Sequence, residues 1–194
     1  MMKKIVGAIV KALTKLVYRV KVNGKENIPE EGAALICPNH VHAMDGPSII
    51  AHSSKRQINA LVKAGMFDKP GGRWLAKTYG LYPIKQNSAD LQAIKTALKV
   101  LKNKELLLIF PEGTRNGLKK GLKPKNGPIM IAIKAGVPII PVGVKGTFKP
   151  FRKVTINIGK PIYYDNYKDK TTDKEVINSL TEKLMEEIIK LRDM

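Results

Sequence analysis

A single cysteine in 194 residues is the first thing this chain is short of. Cys37 has no partner for an internal disulfide, so the fold must be held by a packed core, and a lone thiol fits a reducing compartment. Cys37 closes the apolar run AALIC, where a small buried residue is the simpler reading than a nucleophile. Aromatics are scarce as well, at 6%, with no basic strand interleaved with aromatic residues of the kind that stacks nucleotide bases. No helix-turn-helix signature, zinc-ligand spacing, internal repeat or low-complexity tract is present. No apolar run approaches the ~20 residues that a membrane-spanning helix requires.

The last shortage is of acids. Lys and Arg number 35 against 16 Asp and Glu, a formal net charge of +19. The first 25 residues carry seven basic side chains and no acid; Gly113 to Tyr164 carry eleven and again none. Half of the acids lie from Asp165 onward. Such a field selects an anionic partner: a membrane surface, a phosphorylated substrate, an acidic carrier protein or a nucleic acid. Length and a 43% hydrophobic content indicate one globular domain.

The N-terminus narrows the choice. In MMKKIVGAIVKALTKLVYRV, at ~100° per residue, Ile5, Ile9, Leu13, Leu16, Val17 and Val20 share one side, while Lys4, Lys11, Lys15 and Arg19 share the other. Lys11 interrupts what would be a signal-peptide core, and no small-residue cleavage site follows. The pattern predicts a basic amphipathic helix over residues 1–22 that lies in the membrane interface, packs on its own domain, or does both.

Residues 23–194 read as one domain. Short apolar runs recur at AALIC, INALVK, GLYPIK, LLLIF, VPIIPVGV and KVTINIG. Helical stripes lie between them: Leu91, Ile94, Leu98 and Leu101; Ile129 to Lys134; and Ile177, Leu180, Leu184, Ile188 and Leu191 after a capping box at Thr172 and Glu175. The alternation predicts an α/β fold, a mostly parallel or mixed sheet flanked by helices. Two polar stretches directly follow apolar runs, where loops at the carboxyl ends of strands collect chemistry. In CPNHVHAMDG, His40 and Asp45 stand five apart, too far for pairing on one helix, but a loop turning into a helix at DGPSII would join them. A carboxylate on one ring nitrogen fixes the imidazole tautomer and leaves the other nitrogen as a base. The competing readings are a metal cluster, for which His40, His42 and His52 have no recognised spacing, and a plain loop with Asp45 as helix cap. In LLLIFPEGTRNG, Arg115 suits a phosphate and Gly113 permits close approach of backbone to ligand.

Taken together, NHVHAMD and FPEGTR resemble the first and third signature blocks of the glycerolipid acyltransferases. That family includes the 1-acyl-sn-glycerol-3-phosphate acyltransferases, which make phosphatidic acid. GLYPIK resembles the second block and VPIIPV the fourth, and the likeness spans roughly Asn23 to Lys160. It implies His40 as general base for an acceptor hydroxyl that attacks a fatty-acyl thioester, with Asp45 supporting it. Glu112, Gly113, Thr114 and Arg115 would hold the acceptor and its phosphate, and Lys63 would help bind that phosphate. Coenzyme A or acyl-carrier protein would serve as the donor's carrier, with no metal and no bound cofactor. The acceptor would be lysophosphatidic acid, with glycerol 3-phosphate or another lysophospholipid as alternatives. The setting would be peripheral, on the anionic cytoplasmic face of the cell membrane. Two departures stand out: His42 replaces a usually small polar residue, and Gln86 occupies the usual arginine position of the second block, with Lys85 one residue earlier. Outside the family, a basic nucleic-acid-binding protein or a catalytically silent membrane-surface protein would also account for the charge.

Overall fold

The computed structural model describes residues 11, 12, 14–68, 70–84, 91–170 and 173–194. Residues 1–10, Leu13, Lys85, Gln86 and Thr172, named above, lie outside them. Residues 11, 12 and 14–18 are helical. Seven strands follow: β1 (Val20–Asn23), β2 (Ala34–Pro38), β3 (Ile58–Lys63), β4 (Leu81–Ile84), β5 (Leu106–Leu108), β6 (Ile139–Gly146) and β7 (Val154–Ile158). Interleaved with them are helices α1 (Asp45–His52), α2 (Gly72–Tyr79), α3 (Leu91–Lys102), α4 (Gly127–Ala135) and α5 (Lys174–Asp193).

The strands form one mixed sheet in the order β1-β7-β6-β2-β5-β3-β4. Every pairing is parallel except β6 with β7. The central strands are apolar without interruption because both sheet faces are covered. Leu35 stands in register with Leu107 and Ile139, and this row packs against α3, α4 and α5. The next row, Ile36 with Leu108 and Ile140, points to the other face and packs with Ile49 of α1. Leu35, Leu107, Ile36 and Ile140 are fully buried. At ~1.5–3 kcal/mol for each such side chain, this interior supplies most of the drive to fold.

Two crossovers set the place of the site. The β2–α1–β3 connection covers one face, and the β5–α4–β6 connection covers the other, with Ile129, Ala132 and Ile133 in the opposite cluster. Yet β2 and β5 are neighbours. Chain leaving their carboxyl ends in opposite directions opens a crevice between them, the usual position of a ligand in an open α/β sheet.

Three local expectations are corrected. Val20 to Val22, counted with the N-terminal helix, belong to β1, which pairs with β7 from Val20↔Val154 onward. The cap of α5 is Asp173, whose side chain accepts from the N–H groups of Glu175 and Val176. In α3, Leu101 is buried and Ile94 and Leu98 pack against the same core as expected, but Leu91 is 69% exposed.

Candidate active site

The first residue past β2, Asn39, is 1% exposed and behaves as a piece of strand. Its N–H donates to Val142 O at 3.3 Å, its Nδ2 donates to Val144 O at 3.1 Å, and its Oδ1 accepts from Val144 N–H at 2.6 Å. The side chain thus extends the β2–β6 ladder after the backbone has turned away, and it pins the start of the turn that carries His40.

Within that turn, His40 Nδ1 lies 2.9 Å from Asp45 Oδ2. The same oxygen accepts the N–H of Val41 at 2.7 Å and of His42 at 2.8 Å. Asp45 is wholly buried and is the first residue of α1; the cap position is Met44, with no side-chain hydrogen bond. Asp45 is therefore not capping its own helix. It folds the preceding five residues around its carboxylate, and its other oxygen, Oδ1, is buried with no hydrogen-bond partner among the described residues. An ionised carboxylate only accepts, so Nδ1 carries the ring proton and Nε2 is the basic nitrogen. The ring stacks on Phe110 at a centroid distance of 3.9 Å and an interplanar angle of 22°. It is held on one face and at one edge.

Glu112 comes from the loop after β5 and is 5% exposed. Its Oε1 accepts the backbone N–H of His40 at 2.7 Å, and its Oε2 accepts that of Leu118 at 3.1 Å. A buried carboxylate needs such donors to offset desolvation. Asn116 completes the junction: its N–H donates to His40 O at 2.6 Å, and its φ is +56°. Gly117 leaves the space this requires, since a Cβ there would stand 3.0 Å from Glu112 O and 3.3 Å from its Oε2. The two polar stretches are thus one hydrogen-bonded unit, although His40 and Glu112 are 72 residues apart.

Arg115 is exposed and enters no ion pair among the described residues. Gly113, at φ +67°, and Thr114 lie half-buried in the turn leading to it. Lys63 is exposed at the carboxyl end of β3, the same sheet edge. Lys125 was not singled out from the sequence. Its N–H donates to Pro111 O at 2.7 Å, and its side-chain stem lies 3.2 Å from where a Gly113 Cβ would be. Phe110, the last residue of the apolar run LLLIF, and Asn116 were not singled out either.

The remaining histidines go elsewhere. Exposed His42 accepts Met44 N–H on its own Nδ1 at 3.1 Å and stacks on Phe148 at 5.1 Å. His52, in the last turn of α1, meets Thr14 Oγ1 through Nε2 at 2.7 Å. Burial lowers its pKa to about 4, with the charges of Lys11, Lys25 and Lys15 adding to the effect. Cys37 is fully buried, and burial pushes its thiol pKa well up, which suits packing and not nucleophilic attack. Among the described residues no group of three or more His, Cys, Asp or Glu side chains is placed to hold a metal ion.

A family model described as Acyltransferase matches residues 19–145, which contain both halves of this unit. The chain belongs to the acyltransferase family. Similar proteins of the family include the 1-acyl-sn-glycerol-3-phosphate acyltransferase of Bacillus subtilis, 28% identical over 199 residues, covering 99% of this chain and 98% of that protein. The enzyme of the same name from Borreliella burgdorferi is 31% identical over 148 residues, covering 75% of this chain and 59% of that one. The crystal structure of the 1-acyl-sn-glycerophosphate (LPA) acyltransferase PlsC from Thermotoga maritima aligns with a TM-score of 0.72 at 26% identity. That alignment covers 99% of this chain and 82% of the other, so the mixed seven-stranded architecture is that of this acyltransferase fold.

Proposed function

We propose that this acyltransferase moves a fatty-acyl group from a thioester of coenzyme A or acyl-carrier protein to the free hydroxyl of 1-acyl-sn-glycerol 3-phosphate, giving phosphatidic acid. The observation that carries the reading is the His40–Asp45 pair, with Nδ1 held by the carboxylate and Nε2 basic. In the reaction His40 Nε2 removes the acceptor hydroxyl proton as the oxygen attacks the thioester carbonyl. The tetrahedral adduct collapses, the C–S bond breaks, and the thiolate recovers the proton from the imidazolium. Asp45 holds the tautomer and faces the positive charge that forms on the ring. The thioester brings the acyl group already activated, so the chemistry requires no bound cofactor.

The acceptor's phosphate finds its charge partners in Arg115, Lys63 and Lys125 at the same sheet edge. Arg115 offers a planar fork to the phosphate oxygens, which suits bidentate recognition. Glu112, with both oxygens engaged by backbone N–H groups, holds His40 in place. The names borne by the Bacillus, Borreliella and Thermotoga relatives support lysophosphatidate as acceptor.

Attachment is peripheral, through the basic N-terminal segment, on the anionic cytoplasmic face of the membrane. Among the described residues no helix is long and apolar enough to cross a bilayer, and Lys11 and Lys15 are exposed. The test is a mass-spectrometric product assay on lipid vesicles, offering lysophosphatidate, glycerol 3-phosphate and neutral lysophospholipids with both donor types. Phosphatidate is the expected product. Turnover only of another acceptor would overturn the head-group assignment, and no acyl transfer with either donor would overturn the reading as a whole.

A further inference from the structure

The loop between β6 and β7, residues 147–153, carries an exposed aromatic that neither the core nor the site uses. Phe151 is 73% exposed and sits at φ +62°, a left-handed conformation that L side chains rarely adopt. Its N–H donates to Val17 O at 2.6 Å, so the loop is seated on the end of the N-terminal helical segment. There Leu16 is 72% exposed, with exposed Lys11 and Lys15 nearby on the same segment. On the loop itself Lys149, Arg152 and Lys153 are exposed around Phe151, within a stretch that holds no acid from Gly113 to Tyr164. The other aromatic of the loop, Phe148, is buried, meets Tyr18 edge to face at 5.3 Å and stacks on His42. Because β6 runs parallel to β2, the loop leaves the sheet at the edge where His40 lies.

We infer that the β6–β7 loop is a second membrane contact, with Phe151 entering an anionic leaflet beside Leu16 while Lys149, Arg152 and Lys153 meet lipid headgroups. An apolar wedge flanked by cations, on a loop and a helical segment that themselves carry no acid, fits an anionic lipid surface by charge and by hydrophobicity together. A backbone held in an unfavourable region at an outward-facing aromatic is a feature that packing leaves unexplained. The loop's stacking on His42 gives that otherwise idle residue a task, joining the lipid-facing loop to the catalytic turn. The inference deepens the membrane setting proposed above and rests on it.

Phe151→Gly is the discriminating variant, because glycine accepts φ +62° without strain and its fold is expected to be as stable or more so. In cosedimentation of the full chain with phosphatidylglycerol-containing vesicles, Phe151→Gly is expected to bind roughly tenfold more weakly. Lys149→Glu with Lys153→Glu should weaken binding by at least as much, with the loss largest at low salt. Lipid contact is read directly by placing a tryptophan at 151 in a Trp74→Phe background and quenching it with brominated lipids. Tyr163 is the control position: it is 66% exposed and follows Ile162, which pairs with Ile139 at the amino end of β6, the opposite edge. Strong quenching at 151 and little at 163 is the expected pattern. Equal quenching at both sites, unchanged vesicle binding by Phe151→Gly, or a change in oligomeric state as its only effect would overturn the inference. Acyl transfer by the native chain is measured in parallel. If it is present while these binding tests fail, only the loop assignment falls; if it is absent, the enzymatic reading falls by itself.

Discussion

Helix α1 has a histidine at each end, and the two are put to opposite uses. Before its first turn, His40 meets a carboxylate that also gathers two backbone N–H groups. In its last turn, His52 meets the hydroxyl of Thr14, under the field of Lys11, Lys25 and Lys15. A helix carboxyl end by itself favours a protonated histidine. Here burial and three lysines outweigh the dipole and keep the ring neutral well below neutral pH. In the proposed reaction the first imidazole takes a proton during turnover, while the second is arranged to refuse one. The partner decides the role, not the residue type.

The largest effect that would break this contrast is at His40. His40→Ala is expected to lower kcat by about 10³-fold or more, and Asp45→Asn by roughly 10²-fold, with circular dichroism unchanged in both. Near-native turnover by either variant would remove the base from this end of the helix. Next comes Glu112→Gln, which sharpens the comparison by loosening the His40 turn without touching its ring. The amide keeps one acceptor for two backbone donors, so unfolding free energy in urea should fall by about 1–3 kcal/mol, together with kcat.

At the other end the prediction concerns pH. A folded His52 with a pKa of about 4, against 6.5 when unfolded, contributes fully to stability above pH 6.5. That contribution is lost as pH falls from 6.5 toward 4, because the unfolded chain takes up a proton that the folded chain refuses. Thermal melts of native protein and His52→Gln should therefore differ in their acid limb, with the variant less sensitive over that window. The smallest expected effect is at His42, whose Nδ1 is engaged by its own turn: His42→Ala should keep acyl transfer toward a dispersed acceptor within a few-fold of native.

The runs that became β2, β5 and most of β6 were legible because a strand buried on both faces must be apolar throughout. β1 was hidden for the converse reason. It is a half-buried edge strand of four residues, VKVN, whose Val20 also continues the stripe of the helix before it. The cap of α5 was misplaced by one residue because Thr172 and Asp173 are both good N-caps, and only the path of the backbone chooses. Phe110 read as strand interior, since nothing in LLLIF announces that its ring lies under an imidazole from another loop.

By itself the sequence determined the His40–Asp45 pair. A five-residue turn ending on a helix is a local structure, closed by hydrogen bonds between groups close along the chain. Only the tertiary structure decided that Glu112 braces His40, that Lys125 lies over Gly113 and that Phe148 meets both Tyr18 and His42. Those contacts depend on which strands are neighbours, and strand order is set by how two crossovers share the faces of a sheet, which no spacing along the chain encodes.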